Sequence, residues 1–369
     1  MKLALITGTR PQIIKSAPLL NALQKAGAEV SFIHTGQHYD YELADQFVEE
    51  FQIKSPDYNL EIGSGSNTYQ TYEIILKLAP ILEEIGPDFA IVPGDTNSAF
   101  AAALVCFKME IPVCHLESGL RSFDMVMQEE INRRLIDHAS MALFAPTKEA
   151  VKNLEEEHVI GTIFQTGDTM YDVLKDLLPK FSTDEFFLEV TKDLELTLDD
   201  EFAVLTFHRR ENVDYIEKLS SAIEGFKSLG KTILFPMHPR TKKQLDDHGL
   251  ELGDNVIILK PLPYSSMMSL VSKASLLLTD SGGLQKEAYL LNTPCVTIRD
   301  NTEWVETLEA GANILSSVSS SDIVSKANMM WGKKLNNNPS VYGDGKASEK
   351  IVEILKSTKI VIKNNIMLE

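Results

Sequence analysis

The sequence predicts an α/β protein with two doubly wound parallel sheets, and three observations carry that expectation. Short, apolar, β-rich runs alternate with amphipathic helix-forming stretches along the chain. The alternation forms two series, separated by an acidic, irregular stretch at 184–200. In both series the strands are followed by glycines and by residues able to do chemistry, and the carboxyl edge of an open α/β sheet is where ligands bind. A chain of 369 residues is long enough for two cores.

In the first series, strands are expected at 3–7, 30–34, 89–92, 113–116, 142–145 and 163–165, each a short apolar run bounded by turn formers or charged residues. They lead into Gly8-Thr9-Arg10, Thr35-Gly36-Gln37-His38, Gly94-Asp95, Glu117 and Gly167-Asp168. In the second series, strands at 202–206, 232–236, 256–259, 276–279 and 294–298 lead into loops that include His208-Arg209-Arg210, His238-Pro239-Arg240, Asp280-Ser281-Gly282-Gly283 and Arg299-Asp300. Two sheets with facing carboxyl edges would enclose one central cleft. The expected domains are 1–170, carrying acids and bases, and 171–345, carrying a glycine-rich loop. After the loop signals at 336–345, a helical tail at 346–369 is expected to pack back on the first domain.

Composition excludes several classes. With 44% hydrophobic and 24% charged residues the chain is globular, and a formal net charge of −18 argues against nucleic acid or an anionic membrane as partner. The amino-terminal apolar run is too short for a signal peptide, and no run approaches the roughly 18 apolar residues of a membrane span. A cytoplasmic location is expected. Cys106, Cys114 and Cys295 lie among apolar neighbours without metal spacing and read as reduced core thiols. His34 and His38 lack a carboxylate at ligand spacing, while His158 and His248 fall in charged helical segments. No metal and no cofactor is therefore expected. Glu155-Glu156-Glu157 and Asp246-Asp247 read as solvated helix faces.

The stretch 94–138 concentrates the chemistry: Gly94-Asp95-Thr96-Asn97, then His115-Leu116-Glu117-Ser118-Gly119-Leu120-Arg121, then Glu129-Glu130-Ile131-Asn132-Arg133-Arg134. Acids held close together at a sheet edge, partly out of water, can have their pKa values driven apart into a general acid and a general base. Gly8-Thr9-Arg10-Pro11 through Lys15 passes from strand to helix, so backbone N–H groups, Arg10 and Lys15 can meet a phosphate together. Asp280-Ser281-Gly282-Gly283 through Glu287 repeats that logic: two glycines admit a diphosphate to a helix start, and Glu287 can accept from sugar hydroxyls. His208 with Arg209 offers an imidazole and a guanidinium at one strand end. A plain βα turn and a structural histidine are the bland alternatives.

Taken in order and spacing, Gly8-Thr9-Arg10-Pro11, Gly94-Asp95-Thr96, Glu117 to Arg121, Glu129 to Arg133, His208-Arg209 and Asp280 to Glu287 resemble the non-hydrolysing UDP-N-acetylglucosamine 2-epimerases over nearly the whole chain. The resemblance implies two Rossmann-like domains in a glycosyltransferase-B-like arrangement, usually as a homodimer, with a UDP-sugar as substrate. It implies reversible inversion at C2, by loss of the C2 proton and expulsion of UDP to a 2-acetamidoglucal, followed by re-addition. Asp95, Glu117 and Glu129 would be the acid/base carboxylates and His208 the catalytic or diphosphate-facing histidine. Arg10, Lys15, Arg133, His238, Ser281, Gly282, Gly283, Glu287 and Trp304 would bind substrate.

Three positions depart from the pattern. Gln12 stands where many members carry Glu, Gln128 replaces a proline, and Trp304 replaces an arginine followed by proline. Pro11-Gln12 with Thr302-Glu303-Trp304-Val305-Glu306 looks more like relatives that epimerise UDP-2,3-diacetamido-2,3-dideoxy-glucuronate. The Trp304 indole would stack on uracil or fill a wall, and the bland alternative is a buried core indole. A glycosyltransferase of the same fold, a hydrolysing epimerase and a nucleotide-sugar sensor without chemistry are the other readings.

Overall fold

The computed structural model describes residues 1–36, 50–63, 65–181, 184–192, 194 and 201–357. Gln37, His38 and most of the acidic stretch beyond 192 lie outside the described residues. The chain divides into two units, Met1–Lys175 with Ser340–Glu369, and Asp176–Pro339.

Among the described residues, the sheet of the first unit holds β1 (Lys2–Thr7), β2 (Glu29–His34), β3 (Tyr58–Asn59), β4 (Phe89–Pro93), β5 (Val113–Leu116), β6 (Ala142–Ala145) and β7 (Thr162–Gln165). Their spatial order is 3-2-1-4-5-6-7, and each neighbouring pair is parallel. The second sheet holds β8 (Ala203–Thr206), β9 (Ile233–Pro236), β10 (Val256–Leu259), β11 (Leu276–Thr279), β12 (Cys295–Ile298) and β13 (Asn313–Ser316). Its order is 10-9-8-11-12-13, again with parallel neighbours. The strands are apolar on both faces because helices cover both sides. Relative to its first strand the second sheet repeats the order of the first, so each reverses direction once. That switch point lies between β1 and β4 in one sheet and between β8 and β11 in the other, where doubly wound sheets open a crevice.

Two strands escape the pattern reading. β3 has two residues, too few for any periodicity, and β13 is a half-buried edge strand that begins on Asn313. The helix Ala347–Ser357 packs against Arg10–Lys25 in the first unit, and the Asp172 carboxylate accepts the N–H groups of Ala347 (3.0 Å) and Ser348 (2.7 Å) at its start.

Each unit has its own apolar core, on Ile6, Val92, Leu78 and Ile136 in the first and Leu205, Leu278, Phe226 and Ile298 in the second. The three cysteines are free and buried, and burial pushes each thiol up to about 12. Among the described residues, no helix is long and apolar enough to cross a membrane.

Candidate functional site

In the first unit the loops after β1 and β4 are stitched together by Gln12. Its Oε1 accepts from the backbone N–H groups of Gly8 (2.8 Å) and Thr9 (3.1 Å), and its Nε2 donates to the Pro93 carbonyl at 2.6 Å. A glutamate could accept those two bonds but could not donate the third. Gln12 therefore serves as a buried clamp across the switch point.

Gly94 turns the chain at the end of β4 with φ 68°, a conformation that favours glycine. A Cβ at this position would lie 3.3 Å from the Lys15 ammonium and 3.7 Å from a Glu117 carboxylate oxygen. Lys15 and Glu117 form an ion pair with both side chains largely buried. Glu117 itself adopts φ 64°, rare for any residue but glycine. Asp95, next to Gly94, accepts from Arg133 Nε at 2.8 Å, and Asn132 donates to its carbonyl at 2.9 Å. Asp95, Glu117, Lys15 and Arg133 thus gather at one strand-end cluster. Arg10 sits half-buried at the first turn of its helix.

The helix Gln128–Ala139 separates the paired glutamates. Glu129 is exposed, and among the described residues no hydrogen bond or ion pair engages it. Glu130 is fully buried and accepts from Ser122 N (2.8 Å), Arg133 (3.0 Å) and Arg134 (3.0 Å). Glu157 departs from the solvated run expected of it: it pairs with the buried Arg121 (2.7 Å) and with Arg134 (2.6 Å). Beneath these lies His115, wholly buried, with Nδ1 2.6 Å from Asp137 Oδ1 and Nε2 2.8 Å from the Gly94 carbonyl oxygen. Arg121 meets the other Asp137 oxygen at 2.8 Å. Burial alone would push the Asp137 carboxyl up, but the neighbouring His115 and Arg121 outweigh it and hold it below the usual range.

Sequence reasoning names His115, Arg121 and Glu130 only as members of the 94–138 motifs, without a role of their own, and passes over Asp137. A signal existed: Glu130, Arg133 and Asp137 recur at the spacing of one helix face, which turned out to be the inward one.

In the second unit the switch point is tied by Asp280 at the end of β11. Its carboxylate accepts from the backbone N–H groups of His208 (2.9 Å) and Arg209 (2.8 Å) and lies 3.1 Å from His208 Nδ1. Burial pushes the Asp280 carboxyl up; the bond to His208, its charge and the N–H donors together hold it below its ordinary value. The half-exposed His208 ring stacks on His238, centroids 5.4 Å apart, and His238 Nδ1 accepts from Arg240 N.

Ser281 caps the helix Gly282–Leu290. A Cβ on Gly282 would strike the Glu303 carboxylate, whereas one on Gly283 meets nothing within 4 Å, so the first turn is tight on one side and open on the other. Glu287 is buried and accepts from Tyr264 Oη at 2.9 Å. Trp304 is buried beneath the Lys286 ammonium, 4.1 Å from its ring centre. Gln285 anchors this helix: its Oε1 accepts from Thr302 (2.6 Å) and Asn313 (3.0 Å).

Comparison with known proteins gives a consistent result. A family model described as UDP-N-acetylglucosamine 2-epimerase matches residues 21–356. The UDP-N-acetylglucosamine 2-epimerase of Methanocaldococcus jannaschii is 43% identical over 369 residues, covering 96% of this chain and 99% of its own. The crystal structure of that organism's enzyme in complex with UDP-GlcNAc and UDP superposes with a TM-score of 0.91 at 41% identity, covering 96% of this chain and 99% of that one. The UDP-2,3-diacetamido-2,3-dideoxy-D-glucuronate 2-epimerase of Pseudomonas aeruginosa is 38% identical over 363 residues, covering 96% of this chain and 99% of its own.

Proposed function

The chain belongs to the UDP-N-acetylglucosamine 2-epimerase family and is an enzyme of that kind, and from this premise we propose that it interconverts UDP-N-acetylglucosamine and UDP-N-acetylmannosamine. The observation that carries the proposal is the strand-end cluster of Asp95, Glu117, Lys15 and Arg133 in a chain of this family. The C2 proton of an N-acetylhexosamine is too weakly acidic to leave as a simple carbanion. The proton must therefore depart as the C1–oxygen bond to UDP breaks, giving 2-acetamidoglucal, with the negative charge collected by the leaving diphosphate. Returning UDP to C1 with a proton delivered to the opposite face of C2 completes the inversion.

In this reading Asp95, Glu117 and Glu129 share the proton transfers. The open first turn at Ser281, Gly282 and Gly283 accepts the diphosphate through its N–H groups. In the second unit His208, oriented by Asp280, and His238 face that diphosphate and Glu287 takes a sugar hydroxyl, while in the first unit Arg10, Lys15 and Arg133 are further substrate-binding groups. Trp304 acts as a wall under Lys286. The reading includes a homodimer in the cytoplasm.

A second substrate has specific support. Gln12 and the segment at 302–306 resemble the diacetamido-glucuronate branch, and one enzyme of that name is 38% identical. Proton NMR in deuterated water decides between them: the protein is incubated with UDP-N-acetylglucosamine and, separately, with UDP-2,3-diacetamido-2,3-dideoxy-glucuronate. Loss of the C2 proton signal with growth of the manno epimer identifies the substrate. Retention of that proton in both sugars overturns the epimerase reading and favours a transferase of the same fold.

A further inference from the structure

The charged groups beneath the cluster form a closed circuit. Asp95 accepts from Arg133 (2.8 Å), Arg133 also donates to Glu130 (3.0 Å), and Glu130 accepts from Arg134 (3.0 Å). Arg134 meets Glu157 (2.6 Å), Glu157 meets Arg121 (2.7 Å), Arg121 meets Asp137 (2.8 Å), and Asp137 meets His115 Nδ1 (2.6 Å). His115 Nε2 returns to the carbonyl of Gly94, the residue before Asp95, at 2.8 Å. The circuit thus starts and ends on consecutive residues of one turn.

Two arguments fix the state of His115. Both its ring nitrogens face acceptors, a carboxylate and a carbonyl, so each must carry a proton to make its bond. The arrangement of charges agrees: four carboxylates alternate along the circuit with three guanidiniums and this ring, and the exposed His138 lies 3.8 Å from Glu157 at its rim. The circuit is buried at Arg133, Glu130, Arg121, Asp137 and His115 and half-exposed at Asp95, Arg134 and Glu157, and its buried part is stable when every member is paired.

We propose that His115, as a doubly protonated ring, is a positioning residue for the epimerisation, acting by holding the Gly94 carbonyl and hence the turn that carries Asp95. The Gly94 turn also borders the other pair of the cluster, since a Cβ there would lie 3.3 Å from the Lys15 ammonium and 3.7 Å from a Glu117 carboxylate oxygen. A shift of about 1 Å in such a group costs roughly 100-fold in rate. The role rests on the epimerase reading above.

A pair of variants separates positioning from mere support. His115→Gln places an amide N–H near Nε2 and keeps the bond to Gly94, whereas His115→Asn places one near Nδ1 and keeps the bond to Asp137. C2 deuterium exchange should survive within about tenfold in His115→Gln and fall roughly 100-fold in His115→Asn. The loss should fall on kcat with KM little changed, while both variants lose similar thermal stability. Equal rate losses, or losses that follow the melting temperatures, overturn the positioning role. In the wild type, nitrogen-15 NMR of labelled histidine should show one ring with a proton on each nitrogen; if no buried ring has that signature the proposal fails, even where neither variant folds. Absence of exchange in the wild type itself defeats the epimerase reading and this role together, whereas an active wild type with indistinguishable variants defeats only the role.

Discussion

Glu117 holds a backbone conformation, φ 64°, that costs a non-glycine residue about 1–3 kcal/mol, and it does so while paired to Lys15. Glu117→Gly relieves φ but strips the largely buried Lys15 of its partner, so it should lower the melting temperature and abolish C2 exchange; Glu117→Gln should keep the fold and reduce exchange roughly 10²–10⁴-fold. Differential scanning calorimetry with the deuterium-exchange assay checks both. Asp280 gives a second prediction at this scale. Its carboxyl is held below the ordinary value, so the unfolded chain binds the extra proton first as pH falls. Its stabilisation is complete above the ordinary carboxylate pKa of about 4 and is lost as pH drops through the folded-state value. Denaturant unfolding of wild type and Asp280→Asn between about pH 5 and pH 2 should show a steep acid limb in the first and a shallower one in the second.

Among the elements, the helix Gly282–Leu290 shows how one turn can be closed on one side and open on the other. Gly282→Ala drives a methyl into Glu303, which is itself fixed by Arg299 at 3.0 Å, and should destabilise the protein by about 1–3 kcal/mol. Gly283→Ala meets no atom within 4 Å and should leave the stability within about 0.5 kcal/mol of wild type while weakening UDP binding. Thermal unfolding and calorimetric titration with UDP read the two effects apart. Elements of this type were legible in advance because apolar runs of four to six residues mark buried parallel strands, and their loops can be read off directly. Less legible was what a pattern of one-letter types leaves undetermined. Glu129 and Glu130 are identical in the sequence, and only the rotation of their helix makes one exposed and the other a buried hub. Glu157 closes a run of three glutamates, yet Arg121, distant in the chain, captures it. His115 looked like part of an apolar strand because its partners come from a turn and a helix.

For the whole molecule, the second unit is one continuous segment with its own sheet and core, whereas the first is split into two pieces. The segment 176–339 expressed alone should therefore unfold cooperatively, as followed by circular dichroism. Truncation after Pro339 removes the helix that packs on Arg10–Lys25 and should lower the stability of the first unit, while amide exchange in the second stays as it was. Two N–H groups capped by Asp172 mark where that helix docks, and Asp172→Ala should cost about 0.5–2 kcal/mol in the first unit. The split also orders events during synthesis. On a ribosome adding about 5–20 residues per second, the sheet of the first unit emerges complete but waits roughly 10–40 s for its last helix. During that wait the second unit passes through the exit tunnel and folds, so the face of Arg10–Lys25 that this helix covers stays bare until residues 347–357 emerge.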